Sequence, residues 1–235
     1  MVRRQLLTGL LMVLAMTVLV GLAYPLAITG IAQAGFHDRA NGSLVKSKGK
    51  VVGSSLIGQN FADKDGNPDP RYFQPRPSAA GANGYDAMAS GASNLGPSSQ
   101  KLLATCLPVP AKDTKGNPQV DGKGNPVYQK NPDGSQVCDP STVPQRAIAY
   151  RQLNGLAADA KVPVDAVTAS ASGLDPDISV ANANLQAKRV ADTRHLALST
   201  VQSLVKAHTN GRQLGVLGEK TVNVLNLNLA LDRLS

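Results

Sequence analysis

The chain has 235 residues, with 24 Lys or Arg against 16 Asp or Glu and a net charge of +8. That charge is spread thinly, there is no Trp, and only 3% of residues are aromatic, which speaks against a nucleic-acid patch or a base-stacking surface. Glu219 is the only glutamate, so helices stabilised by Glu-to-Lys pairing are not expected.

The chain opens with Leu6 to Ala34, a run without a single charge. About 20 apolar residues suffice to cross a bilayer, and lipid forces such a segment to be helical. A signal peptide is the competing reading. Arg3 and Arg4 form a charged start, and Ala32-Gln33-Ala34 has the small-x-small form of a cleavage site. Against it, the apolar run is about twice the usual 7–15 residues, and Pro25 lies inside it. A retained anchor is the better reading. Arg3 and Arg4 favour a cytoplasmic amino terminus, while Arg39, Lys46, Lys48 and Lys50 on the other flank weigh the opposite way. We take the orientation as N-terminus in, domain out. Ala23, Ala27, Gly30 and Ala34 recur at three- and four-residue steps, preceded by Thr17 and Gly21. Small residues let helices approach closely in lipid, so these positions are candidates for packing on a partner helix.

The expected organisation is a cytoplasmic tail (1–5), a transmembrane helix (6–34), a polar juxtamembrane link (35–50) and an extracytoplasmic domain (51–235). Within the domain, Lys50 to Gln59 reads as a short strand and a turn. Asp63, Asp65, Asn67 and Asp69 alternate like calcium ligands, but Pro68 and Gln74 stand where an EF-hand needs Gly and Glu, so a solvated turn is expected. Tyr72 to Ser99 is rich in Gly, Ala, Ser and Pro. It is either a linker or an ordered irregular loop, and its aromatic anchors favour the latter. Tyr72, Gln74, Arg76, Ser78, Tyr85 and Asn94 are its candidates for contacting a partner.

A short helix is expected from Gly96 to about Cys106. Residues 106–140 then read as a hydrophilic insertion with turn signals: Asp113-Thr-Lys-Gly-Asn-Pro118 is echoed by Asp121-Gly-Lys-Gly-Asn-Pro126, and Asn131-Pro-Asp-Gly134 follows. A hairpin with Val127-Tyr128 in a strand fits. Cys106 and Cys138 bracket it. In an oxidising compartment the pair is most simply a disulfide, worth roughly 3–4 kcal/mol in the chain-entropy model; two free thiols are the alternative.

A helix is expected to resume near Ser141 and stop around Gly155–Lys161. Val162 to Ser172 resembles a strand entering a small-residue loop. Ser179 is a good N-cap for a helix reaching about Lys188, and a further helix is expected over Thr200–His208. Val222 to Leu231 alternates apolar and polar residues and reads as a terminal strand, or a strand followed by a helix. Together these give an α+β class: a single N-terminal transmembrane helix, then one mixed domain carrying a disulfide-bracketed insertion.

No catalytic constellation or metal site assembles. His37 is juxtamembrane. His208 falls at a helix C-terminus, where a partly cationic imidazole suits the dipole. No Gly-x-Ser-x-Gly elbow or zinc spacing occurs. Gly215-Val-Leu-Gly-Glu-Lys-Thr221 resembles the end of a phosphate loop, but Glu219 separates the Gly from the Lys, so it reads as a turn. A hydrolase would need a triad or a metal; a free-standing anchored binding module would purify alone.

The blocks GLAYPLAITGIAQA, VVGSSLIGQNF, YFQPRPSAAG, YDAMASGASNLGPS, VPVDAVTASASGLDPDIS, KRVADTR, LVKAHTNGRQLGVLGE and VNVLNLNLALD resemble, in order, the KdpC family. These are the C subunits of the bacterial Kdp potassium-transporting P-type ATPase. The resemblance covers most of the chain apart from 106–140. It implies a single-pass protein of the bacterial cytoplasmic membrane with an outer domain. It also implies three partners besides the lipid bilayer: a channel-like potassium-translocating subunit, a P-type ATPase subunit and a small peptide subunit. The family role implied is non-catalytic: supporting assembly and acting as a catalytic chaperone that raises the ATP affinity of the ATPase subunit. ATP is thus a cofactor only through that subunit. Lys188 and His195 stand where the family tends to have Pro and Gly, and segment 106–140 interrupts a region that is usually helical.

Overall fold

The computed structural model describes residues 2–234. The chain divides into two units, one running up to Leu56 and one from Ile57.

In the first unit a continuous apolar helical span runs over Val2–Gly35. It comprises α1 (Val2–Met16), a π-helical segment (Thr17–Ala23) and α2 (Tyr24–Gly35). Pro25 explains the wide turn. A proline inside a helix has no N–H to give and its ring presses on the carbonyl four residues back. Here that carbonyl belongs to Gly21, within the π segment, and the Tyr24 N–H reaches back five residues to Leu19 O. The wider turn carries the helix past Pro25 without a break. At 1.5 Å per residue the span is about 50 Å long, ample for a hydrocarbon core of about 30 Å. Its large apolar side chains face outward all round; Leu6 and Leu26 are 69% and 70% exposed. Such a helix needs lipid or another helix around it.

The stretch expected to be a plain polar link is structured. It holds α3 (His37–Ala40) and β1 (Leu44–Ser47), and β1 pairs as an antiparallel hairpin with β2 (Lys50–Ser54), the short strand expected from Lys50 onward, with Ser47 opposite Lys50. The two-residue turn Lys48-Gly49 has φ of 49° and 79°, the left-handed pair that matches strand twist.

The second unit opens with a long irregular strap, then α4 (Gln100–Leu103), α5 (Val143–Asn154) and α6 (Val164–Val167). β3 (Asp177–Ser179), α7 (Val180–Arg194), α8 (Leu198–Ala207), β4 (Thr209–Asn210), β5 (Thr221–Asn223) and α9 (Val224–Leu231) complete it. The strands form an antiparallel sheet in the order β3-β5-β4. The core joins Ala183, Ala187, Val190 and Ala191 of α7 to Val201 and Val205 of α8, Val224, Leu227 and Leu231 of α9, Ile178 and Val222 of the sheet, and Phe73 of the strap.

Several expectations change. Val162–Ser172 does not form a strand; Pro163 leads into α6, a single helical turn. That turn places the Asp165 carboxylate at the start of α7, where it accepts from Ser179 N (2.7 Å), Ser179 Oγ (2.9 Å) and Asn182 Nδ2 (3.0 Å). A carboxylate there also complements the helix dipole. Ser179 does cap α7, accepting from Asn182 N at 3.1 Å, but the helix runs past Lys188 to Arg194. Lys188 pairs with Asp192 one turn on, at 2.6 Å. His195 ends α7 with φ 55°, the left-handed position where glycine is strain-free. The terminal segment is a strand and then a helix, β5 followed by α9, with Asn223 as the cap.

The cysteine-bracketed segment is not a simple hairpin. Its echoed motifs form repeated turns in which the leading Asp accepts from two backbone N–H groups. Asp113 Oδ1 takes those of Lys115 and Asn117, and Asp121 Oδ1 those of Lys123 and Asn125. The same turn occurs at Asp63, which takes the N–H groups of Asp65 and Asn67. The turns interlock through rings of three backbone bonds. Gln119 N donates to Ala111 O, Val127 N to Gln119 O, and Ala111 N to Val127 O; Val109, Gln129 and Val137 repeat the arrangement. A disulfide joins Cys106 to Cys138, whose Cα atoms lie 4.8 Å apart.

Candidate functional site

The strap from Pro70 to Gly91 is the most heavily tied irregular stretch of the second unit. Pro75 and Pro77 lack N–H groups and hold their neighbours extended, so this segment cannot join a sheet ladder. Side-chain amides stand in for the missing strand. Asn228 Oδ1 accepts from Phe73 N (2.9 Å) while its Nδ2 donates to Phe73 O (3.0 Å). Gln186 repeats this one residue on, accepting from Gln74 N (2.7 Å) and donating to Gln74 O (3.0 Å). Both amides are 1% exposed. Arg189 adds a cation to the clamp, donating to Pro70 O, to Tyr72 O at 3.0 Å and to the side chains of Asn154 and Gln186. Its hydrogen bonds go to neutral acceptors, and burial pushes the guanidinium down to about 10.

The sequence predicts none of these three residues as functional. The signal was available: Asn182, Gln186 and Arg189 recur at helical spacing on the face that also buries Ala183 and Val190. Buried polar groups on such a face need partners; the strap backbone supplies them to Gln186 and Arg189, while Tyr150 and Asp165 supply them to Asn182.

The six strap candidates fall into distinct settings. Tyr72 lies between the Phe61 ring, 5.4 Å away, and the Arg194 guanidinium, 4.7 Å from its ring centre. The Gln74 side chain donates to Phe61 O and Asp69 O, both at 2.9 Å. Arg76 pairs with Asp175 at 3.0 Å. Ser78 Oγ donates to Gly173 O (2.7 Å) and accepts from Tyr85 N (2.9 Å), and Tyr85 OH donates to Arg76 O (2.9 Å). Burial raises the Tyr85 phenol above its ordinary value, with Asp175 adding to the shift. Asn94, just beyond the strap, is the one of the six classed as exposed, with φ 53°. The strap thus rests on the loop 169–175, and glycines permit the close approach. A Cβ on Gly173 would lie 2.6 Å from Ala80 Cβ, and one on Gly58 would lie 2.4 Å from the Tyr85 ring. A cavity of about 460 Å³ beside it is lined by Asn60, Pro75, Arg76, Ser78, Asn83 and Tyr85.

In the apolar span, the predicted small residues split into two groups. Gly21 and Ala23 are two positions apart and cannot share a face. Thr17 and Gly21 form one strip within the π segment; Ala23, at the end of that segment, begins a second that continues through Ala27, Gly30 and Ala34 of α2. A Cβ on Gly30 would meet nothing within 4 Å, and one on Gly21 only Thr17. Both strips are therefore open to a neighbour.

Among the described residues no cluster of three His, Cys, Asp or Glu is placed to hold a metal ion. The Gly215–Thr221 segment lies between β4 and β5. No helix follows it directly, so the strand–loop–helix of a phosphate loop is not made. His208 closes α8, as expected, but its surroundings disfavour the partly cationic imidazole expected there. Burial, and secondarily Arg233, lowers its ordinary value.

Comparison with known proteins places these features in context. The family described as K+-transporting ATPase, c chain, matches residues 6–127 and 129–233, so the match runs through most of the cysteine-bracketed segment as well. The chain is 48% identical over 232 residues to the potassium-transporting ATPase KdpC subunit of Mycobacterium tuberculosis, covering 99% of this chain and 100% of that one. It is 46% identical to the equally named subunit of Gemmatimonas aurantiaca (97% and 92% covered) and 42% identical to that of Streptomyces avermitilis (98% and 94%).

Proposed function

The chain belongs to the KdpC family, and on that premise we propose that it is the non-catalytic accessory subunit of an ATP-driven, high-affinity potassium-uptake complex. The observation that carries this reading is a family match over nearly the whole length, joined to an apolar span whose surface is left uncovered within the chain. In this reading Val2–Gly35 anchors the protein in the bacterial cytoplasmic membrane. The amino terminus and Arg3 and Arg4 lie on the cytoplasmic side, and the disulfide-bearing unit lies outside. The strips Thr17–Gly21 and Ala23–Ala34 dock against the channel-like and ATPase subunits, because small residues permit close backbone contact in lipid.

An effect on ATP affinity must then be indirect. ATP is cytoplasmic, and no phosphate-binding loop forms among the described residues. The span is the element that reaches across, so docking of the helix is the route by which this chain raises the ATP affinity of the ATPase subunit. Leu at Ala23, Ala27 and Gly30 together should reduce the yield of the co-purified complex and raise the ATP concentration that half-saturates what remains. Unchanged assembly and unchanged ATP dependence would remove the helix from this role.

A further inference from the structure

The flank that follows the apolar span carries four cations, Arg39, Lys46, Lys48 and Lys50, and Asp38 is its one carboxylate up to Leu56. All five side chains are exposed, and none forms an ion pair among the described residues. Positive charge beside a span favours the cytoplasmic side, so on the outward flank these residues call for a role other than setting orientation.

The fold fixes where the charges sit. α3 is tied back to the end of the span: Asn41 Nδ2 donates to Gln33 Oε1 at 3.0 Å and to His37 O at 2.7 Å, and Gln33 Nε2 donates to Asn41 Oδ1 at 3.3 Å. The β1–β2 hairpin is tied to α3 in turn. Ser43 N donates to Asp38 O at 2.8 Å, Ser55 N to Ser43 O at 3.0 Å and Ser54 Oγ to Gly42 O at 2.7 Å. The hairpin starts nine positions after Gly35 and belongs to the same unit as the span. Its lysines are therefore held close to the end of the helix.

One face of the hairpin mixes apolar and cationic groups. Along β1, Leu44 and Lys46 are exposed while Val45 and Ser47 are half-buried, the alternation of a strand with one open face. Val51 lies opposite Lys46 across the strands and shares that face. Leu44 is 55% and Val51 54% exposed. At the tip Lys48 takes φ 49°, where Asn or Asp would form the turn more readily, so the turn carries a charge at some conformational cost. Aliphatic groups bordered by lysines, beside the end of a spanning helix, match the bilayer interface: the apolar groups enter the headgroup layer while the ammonium groups meet phosphates. Four cations against one carboxylate call for headgroups of net negative charge.

We propose that hairpin 44–54, together with Arg39, is a clamp for the headgroups of acidic phospholipids in the leaflet where the apolar span ends. This rests on the reading of Val2–Gly35 as a retained membrane anchor.

The chain contains no Trp, so Leu44→Trp adds a single indole reporter on a strand that accepts it. The full chain carrying it is reconstituted into phosphatidylcholine vesicles with and without added phosphatidylglycerol. Phosphatidylglycerol should move the indole emission to shorter wavelength and open it to quenching by lipids brominated high on the acyl chain, and added salt should reverse both effects. Lys48→Asn, which suits the positive φ, should raise the acidic-lipid fraction needed for half of the shift by about fivefold. Lys46→Gln, Lys48→Asn and Lys50→Gln together should abolish the dependence on phosphatidylglycerol. Equal emission in neutral and acidic vesicles, or an undiminished response in the triple variant, would overturn the headgroup clamp while leaving the anchor in place. If the chain fails to float with vesicles of either composition, the anchor reading falls and this inference with it.

Discussion

Asn228 and Gln186 supply to Phe73 and Gln74 the hydrogen bonds that a neighbouring strand would supply in a sheet. Because both sites are sealed from water, losing one amide orphans a buried N–H and a buried carbonyl together. Asn228→Leu should therefore cost about 2–4 kcal/mol of stability, measured by chemical denaturation of the full chain in detergent; a loss below about 1 kcal/mol would mean that water replaces the amide. His208 offers a pH signature. Its folded value is lowered, so the unfolded chain takes up the proton first as pH falls. The stability it confers is complete above about pH 6.5 and is lost as pH falls through the lower folded value. The melting temperature should drop between pH 7.5 and 5.5, and His208→Gln should shrink that drop. At this scale Ser179 was readable because N-caps have a strong residue preference, and the turn residues Asp113, Asp121 and Asn131 stood out by repetition. The clamp was only half readable: the spacing of Gln186 and Arg189 marks polar residues on the buried face of α7, but their partners in the strap lie far earlier in the chain and only the fold brings them together. His208 was misread because its burial by other segments is a tertiary property.

Among the elements, α6 shows tertiary contacts overriding local preference. The valines of Val162-Pro-Val-Asp-Ala-Val favour a strand, but one helical turn brings Asp165 to three donors at the head of α7. Asp165→Asn removes the charge at the helix start and should destabilise the chain by about 1–2 kcal/mol, measured by chemical denaturation beside the unmodified chain. The hairpin at Lys48-Gly49 escaped the sequence because lysine rarely announces a left-handed turn, although the following glycine does. Pro25 in an apolar run signals a break or a kink; the π segment that accommodates it depends on how the preceding turn widens. The cysteine-bracketed segment has no large buried side chain and is held by backbone rings and the disulfide. Reduction removes about 3–4 kcal/mol of chain constraint. Trypsin should then cut after Lys112, Lys115, Lys123 or Lys130 far faster, leaving the unit from Val143 onward intact; equal cleavage before and after reduction would show that the rings suffice.

For the whole molecule, the apolar span and the ordered sequence blocks announced an anchored member of a known family, because both are properties of the linear chain. The α+β character was legible from the alternation of helical and strand periodicities. The strand order β3-β5-β4 was not, since two- and three-residue strands carry too little periodicity to register. The exposure of the aliphatic side chains at 214–217 also lay beyond the sequence, which marks Gly215–Thr221 as a turn without showing which side chains the turn lifts into solvent. The central claim is that this chain works as one subunit among several. The most direct measurement is a mild-detergent pull-down of the full chain from its native membranes, with mass spectrometry of what accompanies it. The account predicts recovery of the potassium-translocating and ATPase subunits in fixed proportion to this chain; elution of the chain alone, with potassium-dependent ATPase activity remaining entirely in the unbound fraction, would contradict it.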